Sequence, residues 1–376
     1  MVDQTPLQAP LQAPLQSPLQ SPVFIVMAGG TGGHIFPALA VADELKQQGY
    51  RIHWLGTRDG MEADLVPKYG YDITFMPVKG VRGNGLKALL QAPFRVALSL
   101  WHGIRVMRRE KAVAVLGMGG FVSGPGSVAA WLLRKPLILH EQNAVLGLTN
   151  KIASWFATRR LEAFPGAFPA GAKAICTGNP VRPMIVPAQP DDEGHPLRLL
   201  VLGGSRGAVA INECVPKTLA LLARAEEGAE IDVWHQTGAA HCEKTRELYQ
   251  SMGIEGRVEP FMDDMAAAYG WADLVLCRSG ALTVAELANV GKPAILVPYP
   301  WHKDQQQLRN GRYLADNGAA IILEQSDMTE QTLSELLVSC INDKSRLHRM
   351  AQNARNCAFP DATVTVARHC LEIAHV

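Results

Sequence analysis

Four glycines in five positions, Gly29, Gly30, Gly32 and Gly33, interrupt the stretch VFIVMAGGTGGHIFPALAVADEL (23–45) between an apolar run and an amphipathic one. An apolar run, a glycine turn and a helix start is the opening unit of a doubly wound α/β domain. The plan returns at LRLLVLGGSRGAVAINECVPKTLALLARA (197–225). Further apolar runs follow each opening: RIHWLG, AVAVLGMGG and PLILHEQ in the first half, then IDVWHQTG, RVEPF, DLVLCR, PAILVPYP and AAIIL in the second. They are continuous rather than alternating, which predicts strands of parallel sheets covered on both faces. Between the halves, NPVRPMIVPAQPDDEGHP (179–196) carries five prolines and three acidic residues, the composition of a linker. The expected fold class is therefore α/β, with two Rossmann-like, doubly wound parallel-sheet domains facing a cleft, and a ligand lying at the carboxyl ends of the strands.

The chain of 376 residues is long enough for two full cores, and its net charge of +1 hides an asymmetry. Residues 1–180 hold 18 Lys and Arg against 10 Asp and Glu, whereas residues 181–376 hold 18 against 25. An anionic partner suits the first half. The seven cysteines are scattered and form no CxxC pair, which excludes a zinc cluster or disulfide framework and fits a reducing cytosol. The N-terminus repeats a P-L-Q-[AS] unit; residues 1–22 are expected to be a disordered proline-rich tail without the features of a signal peptide. The uncharged run Ala112–Leu133 is broken by five glycines after Leu116 and by Pro125, so it reads as strand, loop and helix and not as a membrane span.

Glycine turns that open helices attract anions, because the first N–H groups lack partners and the helix dipole is positive there. Three qualify: GGTGGH (29–34), GMGGFVSGPGS (117–127) and GGSRG (203–207). The first does not satisfy GxGxxG, the acidic residue that a dinucleotide fold places about twenty positions further on is missing where the second strand runs out into GTRDG, and GK[ST] is absent. The stretch CRSGALTVAELANVGKPAILVPYPWHKDQQQLRN (277–310) adds a fourth helix start and places Glu286 in its early turns, where a carboxylate can accept two ribose hydroxyls. Glu286 could equally complement the dipole, and the glutamine run could be a solvated face.

The strings GGTGGHIFPALA, GMGGFVSGPG, LHEQNAVLGLTNK, AFPGAFP, GNPVR, GGSRGA, FMDDMAAAYGWADLVLCRSGALTVAEL and HKDQQQ occur in this order from about residue 23 to the C-terminus. They resemble the MurG family, bacterial transferases that add N-acetylglucosamine to lipid-linked N-acetylmuramyl-pentapeptide. The resemblance implies a GT-B fold with an acceptor and membrane-associating domain (23–180), a linker (181–196), a UDP-sugar domain (197–355) and a C-terminal helix (356–376) packed back on the N-terminal domain. It implies inverting transfer from UDP-N-acetylglucosamine to the muramyl 4-hydroxyl of an undecaprenyl-diphosphate-linked acceptor, as in peptidoglycan synthesis. It also implies a peripheral place on the cytoplasmic face of the bacterial plasma membrane. No cofactor, metal or nucleic acid is expected: the chain has no DxD triplet, so helix starts are left to stabilise the diphosphate.

By the same resemblance, Thr31, Gly32 and Gly33 approach the donor, and Asn143 aligns the reacting sugars. Arg182, Ser205, Met262, the segment Ala281, Leu282, Thr283, Val284, Ala285 and Glu286, and Gln307 fall where the family binds the nucleotide-sugar. Gln306 and Asn310 are weaker candidates for sugar hydroxyls. His34 leads as general base, since an imidazole titrates near neutrality. The alternatives are that its ring contacts the diphosphate or braces the loop, or that His140 or Glu141 is the base. Two positions depart from the family pattern: Phe121 stands where tyrosine is common, which excludes a phenol there, and Arg206 stands where glutamine is common.

From Lys79 to Lys111 eight basic residues and a single acid are interleaved with apolar ones. Leu86, Leu90, Phe94 and Trp101, extended by Trp131, form a candidate patch for an anionic membrane surface. The competing reading is a core-facing helix with a basic outer face. Rival functions are a UDP-sugar transferase with another lipid acceptor and a UDP-N-acetylglucosamine 2-epimerase.

Overall fold

The computed structural model describes residues 21–78, 85–181, 195–204, 207–224, 230–302 and 304–374, with backbone alone for 85–93. The first half forms strands β1 (Val23–Met27), β2 (Arg51–Gly56), β3 (Asp72–Phe75), β4 (Ala112–Gly117), β5 (Leu137–Glu141), β6 (Arg159–Glu162) and β7 (Ile175–Cys176). They pair in parallel in the order β3-β2-β1-β4-β5-β6-β7. The second half forms β8 (Leu197–Leu202), β9 (Ile231–Gln236), β10 (Arg257–Glu259), β11 (Leu274–Cys277), β12 (Ala294–Leu296) and β13 (Ala320–Ile322), also all parallel, in the order β10-β9-β8-β11-β12-β13. Strands at the centres are wholly enclosed: every residue of β1 and of β11 is buried.

In both sheets the strand order reverses beside the first strand of the half, between β1 and β4 and between β8 and β11. Loops leaving adjacent strands at such a point diverge to opposite faces and open a crevice at the carboxyl ends. The loops that diverge here are the glycine-rich ones. Helix α1 (Gly32–Gln47) follows β1, α4 (Ser123–Leu132) follows β4, α6 (Val209–Ala223) follows β8 and α9 (Ala281–Val290) follows β11.

Helix α13 (Ala362–Ala374) returns to the N-terminal lobe after α12 (Lys344–Asn356) has packed on α9. Its Val366, Ala367, Cys370 and Ile373 occupy one helical stripe and join the cluster of Phe24, Val41, Trp54 and Leu116. Burying side chains of the size of Val366 and Ile373 contributes about 1.5–3 kcal/mol each, which ties the chain's end to the lobe in which it starts. Among the described residues no helix is long and apolar enough to cross a membrane.

Candidate active site

The first glycine loop is held by a carboxylate from the next helix. Glu62, on α2 (Glu62–Lys68), is fully buried. Its Oε2 accepts the Gly30 N–H at 2.9 Å, and Oε1 accepts the Thr57 N–H and hydroxyl at 2.8 and 2.6 Å. A Cβ at Gly29 would lie 2.5 Å from Glu62 Oε1, and one at Gly120 would lie 2.7 Å from the Gly29 carbonyl. The loops after β1 and β4 therefore stack backbone on backbone, an approach that only glycine permits. Thr31, extended at φ −126°, caps α1, and its carbonyl accepts His34 N–H at 3.1 Å. The helix start is thus rigid and turned to the crevice.

His34 is half-buried beside Gly119, and its Nδ1 lies 2.6 Å from Gln142 Oε1. Gln142 Nε2 in turn donates to the Nδ1 and the carbonyl of His140, both at 3.1 Å. His140 is fully buried with Nε2 3.0 Å from the Gly178 carbonyl, and burial depresses its pKa to about 4. Glu141 is also buried: Oε1 accepts the Asn143 N–H and amide at 3.0 and 3.2 Å, and Oε2 accepts Gly147 N–H at 3.1 Å and the Asn150 amide at 2.8 Å. Neither group lines the cleft, which corrects the reading of either as the base. His140 is walled off and held neutral, and Glu141 shapes the loop that carries Asn143.

The second lobe repeats the arrangement. Gln236 clamps the turn after β8, accepting Gly204 N–H at 2.9 Å while its amide donates to the carbonyls of Gly204 and Pro260, both at 3.1 Å. Gly204 needs its positive φ of 76° for that turn. At α9 the Gly280 carbonyl accepts Val284 N–H at 2.9 Å, leaving the N–H groups of Ala281 to Thr283 at the helix mouth. Glu286 is buried at the cleft wall, and one of its oxygens accepts the Tyr269 hydroxyl at 3.1 Å. Arg278 sits half-buried at the end of β11, bonded to the carbonyls of Val297 and Pro298 and to Gln325 Oε1 at 2.5 Å. Burial lowers its pKa, and the guanidinium remains a fixed cation in the crevice.

These parts enclose one interlobe cleft of about 1260 Å³. Thr31, Gly32, Gly33, His34 and Asn143 line it from the first lobe, and Met262, Ala281, Leu282, Thr283, Glu286, Gln306 and Gln307 from the second. Two expected contacts fall elsewhere. Val284 is fully buried in the core beneath α9, and Ala285 faces a small cavity beside Asn179 and Phe359. Asn310 lies at the cleft but is 1% exposed: its Oδ1 accepts Ala144 N–H at 2.8 Å, and its amide donates to Asn143 Oδ1 at 3.2 Å. It joins the lobes, so its polar atoms are committed before any sugar arrives. Arg182, Ser205 and Arg206 lie outside the described residues, as do the side chains of Leu86 and Leu90. Sequence reasoning passed over Glu62, Gln142, Gln236 and Arg278. Only Arg278 carried a signal, a lone cation between a strand end and a glycine helix start.

A model of the glycosyltransferase family 28 N-terminal domain matches residues 24–161, and one of the family 28 C-terminal domain matches residues 198–366. The chain is 51% identical over 354 residues to a protein of Aeromonas hydrophila and 52% identical over 355 residues to one of Alkalilimnicola ehrlichii. The alignments cover 93% of this chain and 96% and 98% of those proteins. Both are named UDP-N-acetylglucosamine–N-acetylmuramyl-(pentapeptide) pyrophosphoryl-undecaprenol N-acetylglucosamine transferase. The crystal structure of Acinetobacter baumannii MurG superposes with a TM-score of 0.80 at 39% identity, covering 93% of this chain and 99% of that one. The chain belongs to the MurG branch of glycosyltransferase family 28.

MurG-family membership makes it a glycosyltransferase, and the two parallel-sheet lobes are the GT-B arrangement. A UDP-N-acetylglucosamine 2-epimerase of Neisseria meningitidis, solved with UDP-N-acetylglucosamine bound, shares this fold at a TM-score of 0.64 and only 13% identity. The fold is thus common to the rival activity, and the family separates them. Phe121, one of the two departures from the MurG pattern, is half exposed in the second glycine loop and does not line the cleft.

Proposed function

We propose that this enzyme transfers N-acetylglucosamine from UDP-N-acetylglucosamine to the 4-hydroxyl of lipid-linked N-acetylmuramyl-pentapeptide, with inversion at the anomeric carbon. The observation that carries the proposal is the opposition, across one cleft, of an anion-binding helix start on the second lobe and a histidine on the first. The donor diphosphate rests against the mouth of α9 and the Gly203–Gly204 turn, with Arg278 as a fixed cation of the same cleft. Glu286 takes the ribose hydroxyls. His34 Nε2 removes the proton of the attacking hydroxyl as its oxygen bonds to the anomeric carbon, and the bond to UDP breaks with its electron pair onto the diphosphate. Asn143, held by Glu141, orients the sugars.

The acceptor is anchored in a bilayer, so the enzyme binds at the cytoplasmic surface of the plasma membrane. Helices α3 (Gly85–Arg109), α4 and α5 (Leu148–Ala153) pack side by side and expose Phe94, Trp101, Trp131 and Leu148, with Trp155 just beyond. Arg105 stacks 5.4 Å over Trp101. Apolar side chains rimmed by cations suit an anionic interface.

The deciding experiment supplies purified enzyme with labelled UDP-N-acetylglucosamine, with and without the lipid-linked muramyl-pentapeptide. Label in the lipid fraction only when both are present is the expected result. Epimerised sugar nucleotide formed from donor alone, without transfer, would overturn the proposal.

A further inference from the structure

The polar chain behind His34 fixes more than its position. The amide group of Gln142 that lies 3.1 Å from the His140 carbonyl has to be the NH2, because a carbonyl oxygen only accepts. That NH2 also faces His140 Nδ1, which must therefore be the unprotonated nitrogen. The other end of the same ring gives the same answer: His140 Nε2 meets the Gly178 carbonyl at 3.0 Å and must carry the hydrogen. Complete burial and the depressed pKa keep this ring neutral, so the assignment does not change near pH 7. With its NH2 thus directed inward, Gln142 presents Oε1 to His34 Nδ1 at 2.6 Å, and Nδ1 has to be the donor.

We infer that Gln142 is a positioning residue that holds His34 in the Nδ1–H tautomer, reserving the Nε2 lone pair for the substrate hydroxyl. This is the reverse of the Nε2–H form that imidazole side chains favour in water. The inference rests on the reading of His34 as the base for its catalytic meaning, though not for the tautomer itself. The logic is that of any triad in which a buried third group sets which imidazole nitrogen is basic. Here the third group is neutral and is itself oriented by the ring and the backbone carbonyl of a second histidine, whose ring is held in turn by the Gly178 carbonyl. A neutral partner leaves no countercharge on Nδ1–H, so the proton taken at Nε2 is not stabilised there by an adjacent anion.

Two measurements test it. Long-range proton–nitrogen correlation of the histidine rings in the labelled full-length enzyme should show His34 protonated at Nδ1 and bare at Nε2, with His140 the reverse. That measurement needs only a His34→Ala sample for assignment. Gln142→Glu then places a carboxylate against Nδ1–H, and an opposite charge at that distance favours the imidazolium by about one to three pH units. The acid limb of the pH–rate profile for transfer should move upward by about one unit or more, with activity recovered at alkaline pH and the KM for UDP-N-acetylglucosamine within about twofold. Gln142→Met, which can do neither, should lower kcat about tenfold at every pH without moving the limb. His34 protonated at Nε2 in the wild-type enzyme overturns the role of Gln142 whatever the base is. The expected tautomer with an unmoved limb in Gln142→Glu overturns the base reading instead, and the catalytic role of Gln142 with it.

Discussion

Asn310 Oδ1 of the second lobe accepts the Ala144 N–H of the first at 2.8 Å, in a site that is 1% exposed. The same side chain reaches Asn143 Oδ1 at 3.2 Å, so the loop that presents Asn143 to the cleft is gripped from across it. A lobe contact thereby sets the position of a residue that lines the cleft.

Asn310→Ala should remove both bonds and leave the Ala144 N–H without its acceptor. Loss of a buried hydrogen-bond partner costs about 1–3 kcal/mol. Chemical denaturation should show a stability loss of that size, and small-angle scattering a larger radius of gyration in the absence of ligand. An unchanged radius together with a loss of donor affinity alone would mean that Asn310 serves the sugar rather than the lobes.

Substitution of His34 by alanine should lower kcat by about 10²- to 10⁴-fold, the range for removal of a general base. Calorimetric binding of UDP-N-acetylglucosamine should change by less than about threefold, because the proposed site of the diphosphate is on the opposite lobe. A collapse of donor binding would assign the ring to the diphosphate.

Vesicles of anionic lipid should sediment the enzyme, and roughly threefold higher salt should release it, since screening shortens the reach of the basic rim. The double variant Phe94→Ser with Trp131→Ser should sediment less while transferring normally to a short-chain, water-soluble acceptor. Equal loss on both acceptors would place these residues in the fold rather than at the membrane.

Acid should destabilise the protein through two buried histidines. Burial lowers His140 to about 4 and His235 to about 3, from 6.5. His235 is completely buried, with Nδ1 3.0 Å from the Tyr249 hydroxyl and Nε2 3.1 Å from Asn212 Oδ1. A histidine with a depressed native pKa binds fewer protons folded than unfolded. The stability from holding it neutral is complete above its unfolded pKa of 6.5 and is lost as the pH falls toward the native value. Between those limits the slope is about 1.4 kcal/mol per pH unit for each histidine. Urea unfolding at pH 7, 6 and 5 should show the combined slope, and His235→Asn should flatten it by the share of one proton. An unchanged slope in that variant would exclude His235 as a source.

The architecture could be read from the chain because its signals are local. The apolar strands β1, β4, β8 and β11 and the glycine turns that follow them each fit within a window of a few residues, and their repetition dictates two doubly wound sheets whose switch points hold the ligand loops. The helix starts of Gly32 and Ala281 and the cleft position of His34 and Glu286 follow from that plan. Strand β6 did not declare itself, because Arg159-Arg160-Leu161-Glu162 is charged; the partners of Arg159, His369 and Glu372, come from the C-terminal helix. Glu62 reads in sequence as a solvated carboxylate at a helix start. Only folding takes it from water and gives it the Gly30 and Thr57 donors. Gln142 meets His34 across 108 positions and Asn310 meets Ala144 across 166. What a buried polar side chain does depends on which partners replace its lost water, and those partners are chosen by the tertiary structure.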